Sequence, residues 1–199
     1  MIDVLIAAAI ALFVLSRLYV ALGRDDGPPD GRSRTPVQAP SSAPQTQEPE
    51  PATTIERRPI FYGPAADGLE AIYEADNSFD PDAFRDGARA AYEMIVGAYA
   101  NGDRKALKPL LDTDVYEAWD AAIKARDESG EAPFELLRVR KLEIENAELE
   151  DNVARIVVHY EAELGDGERT RRANEYWTYM RDIRSNDPNW VLDDVEAAP

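Results

Sequence analysis

The sequence contains no cysteine and a single histidine among its 199 residues. The lack of cysteine excludes disulfide bonds and thiolate metal ligands, and a lone His159 excludes a metal site built from several imidazoles. The sequence also lacks a glycine-rich phosphate loop and a nucleophile with a recognisable base. We therefore expect no metal, no cofactor and no catalytic residue, and we expect a protein that is not an enzyme.

Basic residues are scarce as well, with 22 Lys and Arg against 39 Asp and Glu, which gives a formal net charge of −17. Residues 1–60 carry seven acidic and six basic side chains, so nearly all of the negative charge lies in the remainder of the chain. A strongly negative domain repels phosphate backbones through its long-range field. Nucleic acid is therefore excluded as an expected partner.

The most apolar segment is residues 1–22, within which Val4 to Leu15 has no charged side chain. As a helix this segment is long enough to span a bilayer about 30 Å thick. Arg17 and Arg24 lie at its C-terminal end, so the positive-inside rule predicts a single-pass inner (cytoplasmic) membrane protein with its C-terminal domain in the cytoplasm. The alternative is a cleaved signal peptide, for which Ala21 is a suitable small residue. A signal peptide needs a basic beginning, whereas this chain has Asp3 there.

Residues 23–59 are rich in Pro, Ser, Thr, Gln and Gly and have few large apolar side chains. This composition cannot support a packed core and predicts a disordered linker. We expect the folded domain to occupy residues 60–199. Ile60, Phe61 and Tyr62, at its start, either dock on the domain or form a short binding motif, and docking is the preferred interpretation.

Helical periodicity dominates the first half of the domain. Leu69 and Ile72 indicate a short helix, and the next begins at Asp80 as N-cap with Pro81 in its first turn. Its apolar stripe continues to Tyr99, and Gly102 ends it. Two more helices are expected after this break, a brief one capped by Asp103 and a longer one that starts at Asp112 or Thr113 and stops by Gly130.

The period changes from 3.6 to 2 after Pro133, which predicts strands. Leu137 and Leu142 belong to rows that are out of phase, so we expect a β-bulge near Arg140. Residues 154–164 alternate most regularly, and residues 170–181 and 190–194 complete a four-stranded antiparallel meander. Helices followed by strands predict an α+β fold with the helices packed on one face of the sheet.

Three stretches resemble a known family: FRDGARAAYEMIVGAYANGDRKALKPLLDTDVYEAW, LEIENAELEDNVARIVVHYEAEL and EYWTYMRDIRSNDPNW. Together they are similar to the C-terminal domain of mitochondrial inner-membrane import translocase subunit 44. The similarity runs over about residues 67–195, and alphaproteobacterial members of this family also pair a membrane span with a proline-rich linker. The mitochondrial proteins differ in carrying a long basic region where this chain has a short linker.

The resemblance implies a nuclear-transport-factor-2-like (cystatin-like) fold with an apolar pocket between the helices and a curved sheet. It also implies a membrane-anchored, non-enzymatic adaptor in protein translocation, membrane-protein biogenesis or envelope organisation. The partners implied are membrane proteins or chaperones, with anionic phospholipid as a further candidate. The alternative is a membrane-tethered small-molecule-binding or isomerase-like enzyme of the same fold class, which a buried carboxylate with a raised pKa would favour.

Two sets of residues are candidate sites. The first is a set of large aromatic residues that either line a pocket or pack as ordinary core: Phe84, Tyr92, Tyr99, Trp119, Trp177, Tyr179 and Trp190. The second is a set of arginines that either form a patch for lipid headgroups or an acidic partner, or pair with glutamates across strands: Arg138, Arg140, Arg155 and Arg171. The alternation of its strand places His159 on the polar face of the sheet, away from the helices.

Overall fold

The computed structural model describes residues 58–199, so the predicted membrane span and nearly all of the predicted linker lie outside the described residues. Four helices precede four strands in the chain. The helices are α1 (Ala66–Ala75), α2 (Pro81–Asn101), α3 (Arg104–Leu107) and α4 (Thr113–Ser129). The strands are β1 (Glu135–Glu150), β2 (Val153–Gly165), β3 (Thr170–Asp182) and β4 (Val191–Ala197).

The ends of α2 follow from local chemistry that is readable in the sequence. The Asp80 side chain accepts hydrogen bonds from the backbone N–H groups of Asp82 (2.8 Å) and Ala83 (3.2 Å), which satisfies two of the free donors of the first turn. Gly102 ends the helix in the left-handed conformation with φ 65°. Both predicted ends of this helix are confirmed.

The sheet is an antiparallel meander in the order β1-β2-β3-β4, as predicted. The expected bulge near Arg140 is confirmed by a register shift between Val139 and Lys141. Two further shifts in β1 were not predicted, one before Arg138 and one before Asn146. Since each bulge adds twist and bends the strand, the 16-residue β1 can curve along the edge of the sheet.

One edge of the sheet is partly covered by the chain itself. Leu192 of β4 donates its N–H to the Leu110 carbonyl (2.9 Å) and accepts from the Asp112 N–H (2.8 Å). These two bonds form a parallel bridge between Leu111 and Leu192. The segment between α3 and α4 therefore occupies the edge of β4, whereas β1 forms the other edge.

The core lies between the helices and one face of the sheet, which confirms the α+β class with helices packed on a four-stranded antiparallel sheet. Cross-strand neighbours such as Val158 and Trp177 are both buried on the helix-facing side. Burying a large apolar side chain contributes about 1.5–3 kcal/mol. The largest side chains with almost no exposure are Trp177, Tyr92, Tyr160, Tyr179, Ile72, Ile95, Leu107, Ile123, Ile156, Leu192 and Val158.

The segment before α1 is docked at one position. The Phe61 ring packs against Tyr73 of α1, with 5.9 Å between ring centroids, while Ile60 and Tyr62 remain mostly exposed. Arg58 pairs with Glu74 at 2.9 Å on the same helix. Among the helices of residues 58–199, none combines the length and apolar character needed to cross a membrane. The nuclear-transport-factor-2-like assignment stays a prediction.

Candidate functional site

The seven predicted aromatic residues belong to one connected network of ring contacts. Trp177 lies at its centre, with ring centroids 4.6 Å from Tyr92, 5.9 Å from Trp119 and 6.3 Å from Tyr179. Tyr99 extends the network through Trp119, at 5.0 Å. These five rings pack against one another between the helices and the sheet.

The other two aromatic residues are buried Phe84 and partly buried Trp190. Phe84 and Trp190 pack edge to face with centroids 4.9 Å apart, and both contact Phe79. Beside them runs a groove of about 470 Å³ between α2 and the turn before β4. We call it the Trp190 groove, and its main lining residues are Phe79, Phe84, Gly87, Ala91, Met94, Pro109, Pro188 and Trp190.

Two short turns hold the aromatic wall of this groove in place. In the α1–α2 loop, the Ser78 N–H donates to Asp76 Oδ1 at 3.0 Å, and buried Phe79 follows directly. In the turn before β4, the Asn189 N–H donates to Asp187 Oδ1 at 3.0 Å and orients the chain into Trp190. Both are Asx turns, in which an Asp side chain replaces a backbone acceptor.

Arg181 connects the two turns. Its guanidinium lies 5.3 Å from the centre of the Trp190 ring and forms an ion pair with Asp76. The hydrogen bond from the Ser78 hydroxyl holds the pKa of Asp76 below its usual range, and Arg181 lowers it further. Because the guanidinium stacks on the Trp190 ring and its ion pair with Asp76 is mostly buried, the ring is held in one position. The groove wall is therefore pre-formed.

The floor of the Trp190 groove is the exposed side of α2. A Cβ atom built on Gly87 would contact nothing within 4 Å, and the Met94 side chain is 53% exposed. A glycine inside a helix costs about 1 kcal/mol relative to alanine, and no internal packing at Gly87 offsets that cost. The groove is thus mostly apolar, pre-formed and open along the helix.

Behind the groove, buried tyrosine hydroxyls are satisfied by a helix carbonyl. Tyr160 Oη donates to the Ala88 carbonyl at 2.8 Å, and Tyr179 Oη lies 3.1 Å from Tyr160 Oη. Burial raises the pKa of both hydroxyls, so they remain neutral hydrogen-bonding groups. Tyr160 and Phe79 were not predicted as members of the network, although the alternation of β2 already placed Tyr160 in the helix-facing row.

Glu175 is the acidic side chain that the structure places on the helix-facing side of β3. It accepts a hydrogen bond from Trp177 Nε1 at 3.0 Å. Burial raises the pKa of this carboxyl, an effect that the Trp177 hydrogen bond and Arg171 partly oppose. Glu175 does not line the Trp190 groove. It is nevertheless the kind of carboxyl that the enzyme alternative requires.

Replacing Glu175 with glutamine is expected to stabilise the domain at neutral and alkaline pH. A raised pKa means that the folded state binds the proton more tightly than the unfolded chain. The loss of stability therefore begins as the pH rises past the pKa of the unfolded chain and is complete above the pKa of the folded state. The gain should shrink as the pH falls and vanish below about 4.5, where the carboxyl is protonated in both states. Urea unfolding at several pH values measures this, and a gain that does not depend on pH would contradict it.

The structure does not bring the four predicted arginines together. Arg138 pairs with Glu163 at 2.6 Å and Arg140 binds the same carboxylate, whereas Arg155 pairs with Asp193 at 3.2 Å. Cross-strand pairing, the alternative interpretation, therefore describes Arg138 and Arg140.

Arg171 lies on the opposite face of the sheet from Arg138 and Arg155. It is the cross-strand neighbour of buried Leu164 and stacks 5.0 Å from the centre of the Phe134 ring. Arg171 occupies a helix-facing position of β3, two residues before buried Ala173. A patch made of all four side chains cannot form across the two faces.

His159 lies on the sheet face away from the helices, as the alternation predicted, but only 9% of it is exposed. Its Nε2 donates to Asn174 Oδ1 at 2.7 Å, and its Nδ1 lies 3.2 Å from Lys141 Nζ and 3.6 Å from Glu145. It is a cross-strand-paired histidine. Within residues 58–199, no three histidine or acidic side chains converge to hold a metal ion.

These features define a class of protein: a helix-on-sheet domain with a pre-formed aromatic groove between α2 and the turn before β4. Residues 65–197 match the family described as the Tim44-like domain. Because that match covers about two thirds of the sequence, the chain belongs to the Tim44-like domain family. The family suggests a membrane-associated role related to protein translocation and is generally non-enzymatic.

A similar protein is an uncharacterized protein of Rickettsia prowazekii (strain Madrid E). It is 23% identical over 130 residues, which are 65% of this chain and 58% of that protein. The chain therefore spans little more than half the length of this relative. The resemblance predicted from the three sequence stretches is confirmed by the family match.

Proposed function

We propose that this protein is a membrane-anchored, non-enzymatic adaptor whose Trp190 groove binds an apolar segment of a partner protein. The observation that carries the proposal is the groove itself, which has a fixed aromatic wall and an uncovered floor at Gly87. Large aromatic anchors around a pre-formed cleft are typical of binding hot spots. Membership of the Tim44-like domain family supports work in protein translocation or membrane-protein biogenesis at the inner membrane.

In this proposal, residues 1–22 anchor the chain and residues 23–59 act as a flexible tether. The domain then works on the cytoplasmic side within reach of membrane-protein or chaperone partners. A linker of about 35 residues has a root-mean-square reach of roughly 30 Å. The tether raises the local concentration of the groove near the membrane and so strengthens binding to membrane-bound partners.

Replacing Gly87 with leucine is expected to block the groove without unfolding the domain. The new side chain meets no atom within 4 Å of its Cβ, and removing a helical glycine is itself stabilising by up to about 1 kcal/mol. Complexes of the full chain are solubilised from membranes in a non-ionic detergent and separated by size. The amount of partner protein that migrates with the chain should fall at least tenfold. In-cell function should be lost in parallel.

Gly87→Ala is the matched control, since alanine keeps the helix gain but is too short to fill the groove. It should retain both partners and function. The proposal is contradicted if Gly87→Leu keeps its complexes and its activity in cells while the leucine variant is folded. Loss of function in both variants would also contradict it, because the effect would then come from α2 and not from the groove.

The enzyme alternative is favoured by one observation, the carboxyl of Glu175 with its raised pKa. Its immediate partner is Trp177 Nε1, a core group, so a structural role accounts for the same geometry. Glu175→Gln separates the two functions, since glutamine can still accept the hydrogen bond but cannot exchange a proton. An adaptor should keep full function in this variant, and an enzyme that uses Glu175 should lose it while staying folded.

A further inference from the structure

The free edge of β1 adjoins a second groove, distinct from the Trp190 groove. It measures about 550 Å³ and lies between the second half of α2 and the first residues of β1. We call it the β1-edge groove, defined by Glu93, Gly97, Ala100, Asn101 and residues 135–139. Five consecutive residues of one strand line it, a length of about 17 Å. The groove therefore follows the strand.

The two edge strands of the sheet differ in whether another segment of the chain bonds to their outer side. Leu192 of β4 is bonded on its outer side to residues 110 and 112. For β1, by contrast, the hydrogen-bonded neighbour in the sheet is β2 alone, and within residues 58–199 no other strand adjoins it. An edge strand presents a row of backbone donors and acceptors that can pair with an added strand. Leu137 lies at a register shift in β1 and is 59% exposed.

The wall opposite β1 is open enough to receive side chains. Gly97 lies inside α2, where glycine lowers stability, yet a Cβ atom built there would contact nothing within 4 Å. Partly buried Leu136 and Val139 lie on the same side of β1 as the helices. Aliphatic side chains projecting from an added strand toward α2 would therefore meet the small residues Gly97 and Ala100.

Charge identifies the kind of segment that fits. Residues 58–199 carry 32 acidic against 17 basic side chains. Two exposed carboxylates, Glu93 and Glu135, line the groove, whereas the charge of Arg138 is already paired with Glu163 at 2.6 Å. Opposite charges at an interface rim speed association and select the partner. A basic segment is favoured over an acidic one.

We propose that the β1 edge binds an extended, basic segment of a partner protein as a fifth strand of the sheet. Alternate aliphatic residues of that segment face Gly97 and Ala100, and its lysine or arginine residues reach Glu93 and Glu135. Backbone hydrogen bonds along residues 135–139 provide the affinity, and the groove selects the side chains. This surface shares no lining residue with the Trp190 groove, so binding at one site does not require binding at the other.

The test uses the full chain in a non-ionic detergent and a labelled nine-residue peptide in which valine alternates with lysine or threonine. Binding is followed by fluorescence anisotropy and by hydrogen exchange. We expect saturable binding that weakens with salt, and slower exchange of amides in residues 135–139. The same peptide with glutamate in place of lysine should bind at least tenfold more weakly. Peptides N-methylated along one edge should lose binding, and those methylated along the other edge should keep it.

Matched variants locate the site. Gly97→Leu fills the β1-edge groove and should weaken peptide binding at least tenfold, whereas Gly97→Ala should retain binding. Gly87→Leu, which fills the Trp190 groove, should leave peptide binding unchanged. Glu93→Gln should weaken it about threefold. The thermal unfolding midpoint of each variant is measured first and must be no lower than that of the parent chain.

Three results would overturn the proposal. The first is no binding up to millimolar peptide. The second is binding that survives both N-methylated peptides and Gly97→Leu, which would indicate unspecific charge attraction. The third is a dimer of the chain, seen by sedimentation without peptide and dissolved by Gly97→Leu, which would show that the edge pairs with a second copy.

Discussion

Replacing Trp177 with alanine is expected to lower the free energy of unfolding by about 3–5 kcal/mol, enough to unfold a domain of ordinary stability in part or completely. The Trp177 ring is 1% exposed and contacts the rings of Tyr92, Trp119, Tyr160 and Tyr179. Its removal leaves a cavity at the centre of the network, and it also deprives the Glu175 carboxyl of its indole donor. Urea unfolding of the purified chain measures the loss.

Trp190→Ala is the matched control for this change, because the same atoms are removed from a partly exposed ring. We expect it to cost about 1–2 kcal/mol, since Trp190 keeps only part of its surface away from water. A Trp177→Ala variant that loses less than about 1 kcal/mol, or less than Trp190→Ala, would show that the helix–sheet layer does not depend on this ring.

Replacing Gly68 with alanine is expected to destabilise the domain by about 3 kcal/mol, although alanine is the better helix former. A Cβ atom at Gly68 would lie 1.7 Å from the Ala147 carbonyl oxygen and 2.3 Å from its carbonyl carbon. Both are backbone atoms of β1 and cannot rotate away. Helix α1 must then move off the sheet, and buried Leu69 and Ile72 lose their packing.

The control for Gly68 is Gly87→Ala, which makes the same chemical change in an uncovered position of α2. It should raise the unfolding free energy by up to about 1 kcal/mol. Opposite signs at the two glycines would support the packing of α1 on β1. If Gly68→Ala were as stable as the parent chain, the close approach of α1 to β1 would be wrong.

Local rules in the sequence predicted much of this fold. The N-cap Asp80, the Pro81 that follows it and the Gly102 stop determine α2, and the structure places both ends there. The period-2 alternation through Tyr160 determined which face of β2 is buried. The bulge near Arg140 was predicted because two apolar rows in one strand cannot share a face unless a residue is inserted between them.

Features that depend on distant contacts could not be predicted in the same way. The role of Gly68 depends on a carbonyl 79 positions later in the chain, and nothing near Gly68 indicates that approach. The strand register and the bulges decide on which face of the sheet each arginine of β1, β2 and β3 lies. The Trp190 groove likewise required Arg181 and Asp76 to be brought together across the domain.

The two grooves offer different modes of recognition on one small domain. The Trp190 groove is aromatic and flanked by Pro109 and Pro188, so it fits an apolar segment held by side-chain contacts. The β1-edge groove is bordered by Glu93 and Glu135, so it fits an extended basic segment held by backbone bonds. Each groove contains one glycine at which a larger side chain would fill the groove without contacting the core. Binding at the two surfaces can therefore be blocked separately.

The most direct test of the adaptor function is photo-crosslinking from the floor of the Trp190 groove in intact membranes. A photoreactive amino acid replaces Met94, which is 53% exposed beside Trp190. We expect adducts with a partner protein that decrease at least tenfold when Gly87→Leu is added and persist with Gly87→Ala. Adducts with lipid alone, or protein adducts that Gly87→Leu leaves unchanged, would contradict it.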